Sequence, residues 1–352
     1  MSALKKNNYL ITGGLGFIGS NIAKLLIKRK DVSKCILVDN FGGYINPLRW
    51  TYMDFRKLRF TNMIDKKTKL LIKKKCIFER GDCSDFTTMY NILEKHKPKI
   101  IFHTAAVPVA KIQNPNISEF RRGSVDSTIN LLDCVDLLQK KNKLKLSRFL
   151  YISSSMVYGD FKKKQAKETH TLNPKEIYGT MKLAGEVVVK GLSAYCNIPY
   201  TIIRPSAVYG PTDMNERVTQ FLLMKACIKD NLIVHGKDEK LDFTYVEDIA
   251  AGCINAAIKK QGINNIFNIT FGKGRTILSY VKILGKYFKD SKYKVIERDK
   301  TRPKRGTLSI SKAKKLLGYK PQYNLEKGTA KYVEFLKLLD LNLKGAAKFP
   351  RF

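Results

Sequence analysis

Thr12-Gly13-Gly14-Leu15-Gly16-Phe17-Ile18-Gly19 is the stretch of this 352-residue sequence that decides the fold. Its glycines permit a tight turn, let the backbone approach a pyrophosphate closely, and let a helix pack against a sheet. A helix N-terminus at this point would add a positive dipole for the phosphates. The apolar run Tyr9–Thr12 precedes the glycines, and apolar spacing predicts a helix over Asn21–Lys30. A strand, a glycine turn and a helix in this order predict a dinucleotide-binding loop.

Around the glycine loop, short β-branched runs alternate with longer amphipathic segments through the first 150 residues. This alternation is typical of repeated βαβ units around a parallel sheet. The pattern therefore predicts an α/β fold with a doubly wound parallel sheet of the Rossmann type. Beyond the first strand, further strands are predicted at Cys35–Asp39, Cys76–Glu79, Lys99–His103 and Ser147–Ser153.

An acidic residue follows the glycine loop at an informative distance. Asp39 stands twenty residues after Gly19, at the end of the second predicted strand. A carboxylate there binds the adenosine ribose hydroxyls and repels the 2′-phosphate of NADP, so NAD is the expected cofactor. Asp82, just past the third strand, is a candidate for contact with adenine or an ordinary turn residue.

The chain length allows one large core with a smaller appended domain. We expect an NAD-binding Rossmann domain over residues 1–205 with a return segment at 240–260, and an interleaved C-terminal substrate domain over 206–239 and 261–352. Residues 40–75 form a long connection with nine Lys or Arg residues between Arg56 and Lys75. An extra helix or lid at the sheet edge is the expected structure, and a substrate or partner contact is the alternative.

Composition excludes several classes of function. The formal charge of +36 comes from basic residues spread along the chain, without a nucleic-acid-binding motif, so a solvated surface is expected and nucleic acid is not. Seven scattered cysteines and four distant histidines show no metal-ligand spacing, so no metal is expected. No apolar run reaches the ~20 residues of a membrane span, and no signal region precedes Tyr9. A cytoplasmic protein is expected.

Three Tyr-x-x-x-Lys pairs occur, about as many as chance provides in so lysine-rich a chain: Tyr158/Lys162, Tyr178/Lys182 and Tyr323/Lys327. A phenol with a pKa near ~10 can act as a base when a lysine on the same helical face lowers that pKa. Only Tyr178 opens a predicted helix, Gly179–Val189, and follows Ser154 by 24 residues. Ser154 comes at the carboxyl end of the fifth strand, and open parallel sheets bind ligands at that edge.

These features together resemble the extended short-chain dehydrogenases/reductases, in particular the NAD-dependent nucleotide-sugar epimerase and dehydratase family typified by UDP-glucose 4-epimerase. The resemblance covers nearly the whole chain. Besides the glycine loop, it rests on the sequence motifs at residues 81–82, 103–106, 153–159, 178–182, 204–211 and 242–248. It implies that Tyr178 is the acid/base, that Lys182 modulates its pKa and binds ribose, and that Ser154 orients the sugar oxygen.

The resemblance also implies binding residues. Cofactor contacts are expected from Gly13, Gly16, Phe17, Ile18, Gly19, Asp39, Asn40, Asp82, Cys83, Ala105, Ala106, Tyr178, Lys182 and Pro205. Substrate contacts are expected from Ser155, Ala207, Arg217, Tyr245, Arg302 and Arg305. Family members often pair through two helices per subunit, so a homodimer through Thr128–Leu138 and Gly179–Lys190 is expected.

Departures from the family pattern favour one reaction. Dehydratases of the group carry an Asp-Glu pair where this chain has Ser155 and Met156, and decarboxylases commonly carry glutamate at the position of Met156. An NAD-dependent epimerase of a nucleotide-activated sugar, serving glycan or surface-polysaccharide synthesis, is therefore expected. The alternatives are a dehydrogenase, reductase, decarboxylase or dehydratase with the same triad, and a non-catalytic NAD- or RNA-binding scaffold.

Three further departures affect the expected substrate site. Leu241 stands where the family usually places an arginine for the substrate diphosphate, and Ala207 and Ser124 replace common asparagines. Diphosphate binding would then depend on other cations, for which Arg217, Arg302 and Arg305 are the candidates.

Overall fold

The computed structural model describes residues 6–42, 59–60, 65–107, 116–161, 165–213, 217–299 and 302–338. Within them lies a seven-stranded parallel sheet of β1 Asn7–Thr12, β2 Val32–Asp39, β3 Cys76–Arg80, β4 Ile100–His103, β5 Arg148–Ile152, β6 Tyr200–Arg204 and β7 Asn265–Asn268. The strand order is β7-β6-β5-β4-β1-β2-β3, and it reverses between β1 and β4. The doubly wound α/β prediction is confirmed, and such a reversal opens a crevice at the carboxyl ends of the strands.

The first helix, α1, begins earlier than the sequence pattern predicts. It spans Phe17–Leu26, with Gly16 as an extended N-cap, rather than starting at Asn21. The glycine turn is tight enough for the helix to begin directly after it, which brings the helix N-terminus to the loop itself. The other helices are α2 Lys66–Lys75, α3 Phe86–His96, α4 Ile117–Arg121, α5 Ser127–Lys140, α6 Ile177–Tyr195, α7 Val218–Cys227, α8 Val246–Ile258, α9 Ile277–Gly285, α10 Ser311–Leu317 and α11 Leu325–Leu338.

Short irregular helices join these elements near the crevice. A π-helix, Arg122–Asp126, continues α4 into α5, and 3₁₀ turns occupy Ser155–Tyr158 and Lys260–Gly262. Both Arg122–Asp126 and Ser155–Tyr158 lie close to the carboxyl ends of β4 and β5. Single-turn π-helices are often found at functional sites.

Helices cover both faces of the sheet. Helices α1 and α8 pack on one face, where Ile22 and Ile249 are fully buried. On the other face lie α3, α5 and α6, with Met89 and Leu132 in the core. Because both faces are covered, successive strand residues such as Leu10 and Ile11 are both fully buried. This double burial is why the strands appear in the sequence as continuous apolar runs.

A separate apolar cluster lies in the C-terminal part of the chain, where α7, α9 and α11 pack around Tyr209, Leu223, Phe243 and Tyr280. Four two-stranded sheets accompany it within the described residues: Gln165–Ala166 with Thr307–Leu308, Val208–Tyr209 with Thr244–Tyr245, Leu232–His235 with Tyr293–Ile296, and Lys240–Leu241 with Arg275–Thr276. The cluster draws residues from the predicted substrate domain, such as Leu223 and Tyr280, and also from the predicted return segment 240–260, such as Phe243.

The large sheet extends beyond the predicted domain boundary. Strand β7 falls in the range 261–352, which the sequence assigns to the substrate domain, yet it pairs in parallel with β6, with Asn265 opposite Thr201. A four-residue strand has too little periodicity to reveal its partner, so this assignment depended on tertiary structure. The division into two interleaved domains otherwise stays a prediction.

The long basic connection contributes one described helix, α2, whose N-cap Asp65 accepts a hydrogen bond from the Thr68 amide at 2.9 Å. This agrees with the predicted extra helix at the sheet edge. Residues 43–58 and 61–64 of the connection lie outside the described residues. In the described ranges, no helix has the length and apolar character that a membrane crossing requires.

Candidate active site

The glycine loop has a backbone that only glycine allows at two positions. Gly13 has φ of +61°, and a Cβ at Gly19 would lie 2.3 Å from the Gly13 carbonyl oxygen. Gly16 caps α1 without a side-chain hydrogen bond. The first-turn amides of α1 therefore face the loop without a competing side chain, which suits an anionic pyrophosphate.

Asp39 is held at the carboxyl end of β2 by backbone donors. Its carboxylate accepts hydrogen bonds from the Leu15 amide at 3.1 Å and the Phe41 amide at 3.0 Å. The side chain is thereby fixed beside the glycine loop, where a ribose diol would lie. This geometry fits the predicted role in binding the adenosine ribose.

A second carboxylate, that of Asp82, lies in the same part of the site as Asp39. The Asp82 carboxylate accepts hydrogen bonds from Asn40 at 3.1 Å and from Arg122 at 3.1 Å. Burial opposes ionisation of Asp82, but hydrogen bonds from Ser84 and Asn40 and the charge of Arg122 outweigh it and lower its pKa. Asp82 is therefore ionised at neutral pH and can accept a hydrogen bond from an adenine amino group. No spacing in the sequence distinguishes Arg122 from a solvated arginine.

These groups line one cavity of about 300 Å³. All of the predicted cofactor residues except Pro205 contribute to its wall. The sequence did not predict the remaining wall residues, which are Val38, Gly42, Gly81, Thr104, Glu119, Arg122, Gly123, Ser127 and Ile152. Pro205 lies beneath the site, where its carbonyl accepts a hydrogen bond from the Ser155 amide at 2.8 Å.

Two members of the predicted triad line this cavity, and the third lies next to one of them. Helix α6 begins at Ile177, so Tyr178 and Lys182 share one face a turn apart, and both line the cavity. Ser154 follows β5, is nearly buried, and lies close enough to Tyr178 to act on the pKa of its phenol. The Ser154 hydroxyl also accepts from the Met156 amide at 3.2 Å, which fixes its orientation.

Lys182 is the deeper member of the triad. Its ammonium donates to the Ile152 carbonyl at 2.8 Å and lies 5.1 Å from the centre of the Tyr151 ring. Burial lowers the pKa of Lys182 to about 7, and the negative charge of Glu186 opposes that change. Lys182 therefore changes protonation state in the physiological range.

A buried ion pair anchors the helix that carries these residues. Glu186, one turn beyond Lys182, accepts hydrogen bonds from Arg204 at 2.8 Å and 2.6 Å, and both side chains are at most 1% exposed. Ser153 donates a further hydrogen bond to Glu186. Because an unpaired charge at this depth is strongly unfavourable, the pair sets the position of α6 against β6.

The charge that acts on Tyr178 differs from the one expected. Burial raises the pKa of Tyr178 above its ordinary value, and the charge of Arg217 and the Ser154 hydroxyl reduce that rise without reversing it. The sequence spacing predicted Lys182 as the cation that lowers this pKa, and Lys182 is not among the groups that shift it. Arg217 instead enters from the N-cap of α7, lies 6.0 Å from the centre of the Phe17 ring and lines the cavity.

The two other Tyr-x-x-x-Lys pairs have structural roles. Tyr158 is buried, donates to Asn268 at 2.7 Å and accepts from Arg204 at 3.0 Å. Tyr323 donates to Glu247 at 3.0 Å, far along the chain from the glycine loop. Burial raises the pKa of each phenol to about 12. Lys162 lies outside the described residues.

Of the predicted substrate residues, Arg217 alone lines the cavity. Ser155 is buried next to Ser154, and Ala207 has φ of +37° at the start of the C-terminal cluster. The Tyr245 ring packs 4.4 Å from that of Tyr323, centre to centre. The other two are Arg302, which pairs with Asp299 at 3.0 Å, and Arg305, whose charge is near Glu176 and Glu239.

The parallel sheet, the glycine loop and the cavity with its tyrosine and lysine define a class of nucleotide-binding α/β enzymes. The family model for the NAD dependent epimerase/dehydratase family matches residues 9–270. The chain belongs to this family, as the sequence resemblance predicted.

Solved and curated relatives agree. UDP-glucuronic acid 4-epimerase from Bacillus cereus, in complex with UDP-glucuronic acid and NAD, superposes with a TM-score of 0.82 at 26% identity, covering 94% of this chain and 99% of that one. UDP-glucuronate 4-epimerase 4 of Arabidopsis thaliana is 25% identical over 96% of this chain and 77% of its own length.

A third relative performs other reactions. It is a trifunctional UDP-glucose 4,6-dehydratase/UDP-4-keto-6-deoxy-D-glucose 3,5-epimerase/UDP-4-keto-L-rhamnose-reductase of Arabidopsis thaliana, 25% identical over 95% of this chain. This chain spans only 48% of its length. The family and the NAD-bound neighbour identify the cofactor as NAD, which confirms the prediction from Asp39.

Proposed function

We propose that this protein is an epimerase of a nucleotide-activated sugar, with Tyr178 as its acid/base. The observation that carries the proposal is that Tyr178 and Lys182 line the cavity that the NAD-binding residues also line, with Ser154 next to Tyr178. A binding scaffold has no need of this triad. The curated and solved 4-epimerases among its relatives support the same reaction.

In the proposed mechanism, the glycine loop and Asp39 would hold NAD, which would supply a reversible hydride acceptor for a sugar carbon. Tyr178 removes the hydroxyl proton and gives it back, and Ser154 holds the sugar oxygen beside the phenol. Arg217 and Ser154 partly offset the burial that raises the pKa of this phenol. Lys182 would bind the ribose of the cofactor through its ammonium.

Epimerisation is favoured over dehydration because of one position. Met156 is buried directly after Ser154 and Ser155, where dehydratases of the family carry a carboxylate that drives loss of water. A thioether cannot transfer a proton, so the keto-sugar has no route to dehydration through this residue. Net formation of NADH or loss of water would contradict the proposal.

Tyr178→Phe tests the catalytic assignment. The variant is expected to lose about 10²–10⁴-fold in kcat because the acid/base group is absent, while NAD binding is retained. Turnover is followed by NMR of the anomeric signals with a panel of UDP-, GDP-, CDP- and dTDP-sugars. Tyr287→Phe, at a tyrosine that is 42% exposed just after α9, is the matched control. Equal turnover by Tyr178→Phe and the wild type would exclude the assignment.

We also propose that the protein is a cytoplasmic homodimer. Helices α5 and α6 lie side by side and expose apolar side chains, with Ile129 at 42%, Val187 at 58% and Tyr195 at 82%. Both segments expected to pair lie on these helices. Burial of this face against a second copy would remove apolar surface from water.

A further inference from the structure

Arg59 is a buried arginine in the long basic connection for which sequence reasoning found no role. It is 2% exposed, and its guanidinium reaches two distant segments. One terminal nitrogen donates to the Leu15 carbonyl at 2.6 Å, and the other donates to the Thr212 carbonyl at 2.7 Å. Its Nε lies 3.4 Å from the Thr212 hydroxyl. One planar group thus joins the glycine loop to the loop that follows the short strand Val208–Tyr209.

Thr212 has a backbone conformation that needs support. Its φ of +70° lies in the left-handed region, and it is not a glycine. Such a conformation costs about 1–2 kcal/mol and persists only where surrounding contacts hold it. The Arg59 guanidinium contacts both the carbonyl and the hydroxyl of Thr212, so it holds this residue in place.

Both ends of this connection adjoin the cavity. The Leu15 peptide donates its amide to Asp39 and presents its carbonyl to Arg59, so the cofactor loop is held from two sides. Thr212 precedes Arg217 by five residues, and Arg217 lines the cavity near Phe17 and Tyr178. Thr212 and Arg217 therefore belong to the same connection, which joins the short strand Val208–Tyr209 to α7.

We propose that Arg59 is a positioning residue that couples the cofactor loop to the segment carrying Arg217, so that NAD binding orders both sides of the cavity. The geometry requires arginine, because the two terminal nitrogens of its rigid, planar guanidinium can donate to two separate carbonyls at once. A lysine ammonium is a single point charge and cannot span both. This role concerns NAD binding and does not depend on the sugar reaction proposed above.

Hydrogen exchange measured by mass spectrometry tests the coupling in the full-length chain. In the wild type, saturating NAD is expected to slow the exchange of the backbone amide hydrogens of residues 12–19 and of residues 207–213. In Arg59→Met, protection of 12–19 is expected to remain while the NAD-dependent protection of 207–213 falls about fivefold or more. Lys69→Met removes an exposed positive charge from the same connection and is expected to behave as the wild type.

Arg59→Lys provides the conservative variant, and it also serves if Arg59→Met fails to fold. It is expected to restore only part of the NAD-dependent protection of 207–213. Full coupling in either variant would overturn the proposal, as would exchange that rises uniformly along the chain, since that result indicates a purely structural arginine. Absence of sugar turnover in the wild type would refute the proposed function and leave this result intact.

Discussion

Lys182, the lysine of the proposed triad, opposes stability. The residue is 3% exposed, and burial lowers its pKa from the ordinary 10.5 to about 7. The unfolded chain therefore binds more protons than the native chain between pH 7 and 10.5, and stability rises with pH across that interval. Below pH 7 the full penalty for burying the charge remains. The proposed mechanism gives this unfavourable cation a use.

Lys182→Met is accordingly expected to raise stability while activity is lost. The gain in the free energy of unfolding should be about 1–4 kcal/mol at pH 6, because an apolar side chain replaces a buried ion, and it should vanish towards pH 10.5. Thermal unfolding of both proteins at pH 6, 8 and 10 measures it. Lys190→Met, on the same helix but outside the cavity, is the control. A lower melting temperature for Lys182→Met at pH 6 would contradict the expectation.

At the scale of elements, the junction of β1 and α1 determines the cofactor site. The helix begins directly after Gly16, and its first turn packs so closely on the loop that Gly19 has no room for a Cβ. The same close approach presents the helix amides to the pyrophosphate. Gly191 in helix α6 is, by contrast, sterically unconstrained, because a Cβ at this position would meet nothing within 4 Å.

These two glycines form a matched pair for mutation. Gly19→Ala is expected to weaken NAD binding by about tenfold or more, since a methyl group 2.3 Å from the Gly13 carbonyl forces the loop apart at a cost of about 1–3 kcal/mol. Gly191→Ala is expected to leave NAD binding unchanged and to stabilise the helix by about 0.5–1 kcal/mol. Calorimetric titration with NAD and thermal unfolding measure both effects. Equal NAD affinity in the two variants would refute this account of the loop.

At the scale of the whole molecule, the formal charge of +36 is distributed over the chain, and the site itself combines both signs. The cavity contains Arg122, Lys182 and Arg217 together with Asp39, Asp82 and Glu119. Such a mixed wall suits a cofactor whose ribose and adenine need acceptors and whose phosphates need donors. The apolar face of α5 and α6 interrupts the charged surface elsewhere.

Val187→Glu tests the proposed dimer. A carboxylate at a side chain that is 58% exposed is harmless in a monomer but is unfavourable at the centre of an apolar interface. Light scattering should give twice the chain mass for the wild type and the single-chain mass for the variant. Ile233→Glu, at a residue that is 45% exposed in the C-terminal cluster, should leave the wild-type state unchanged. A monomeric wild type would refute the dimer.

The sequence by itself determined the Rossmann sheet, the glycine loop and the NAD preference. Each of these depends on residues close together in the chain, such as Gly13 to Gly19 and Asp39, where spacing alone sets the geometry. Sequence order also singled out Tyr178 over Tyr158 and Tyr323, and in the structure Tyr178 lines the cavity with Lys182 and lies next to Ser154.

Only the tertiary structure decided which arginines belong to the site. Arg59 contacts residues 44 and 153 positions away, Arg122 reaches Asp82 across 40 positions, and Arg217 rather than Lys182 supplies the charge that opposes the burial of Tyr178. In a chain with 66 lysines and arginines, an arginine that belongs to the site has the same local pattern as a solvated one. Its role arises from packing between distant segments, which no local spacing encodes.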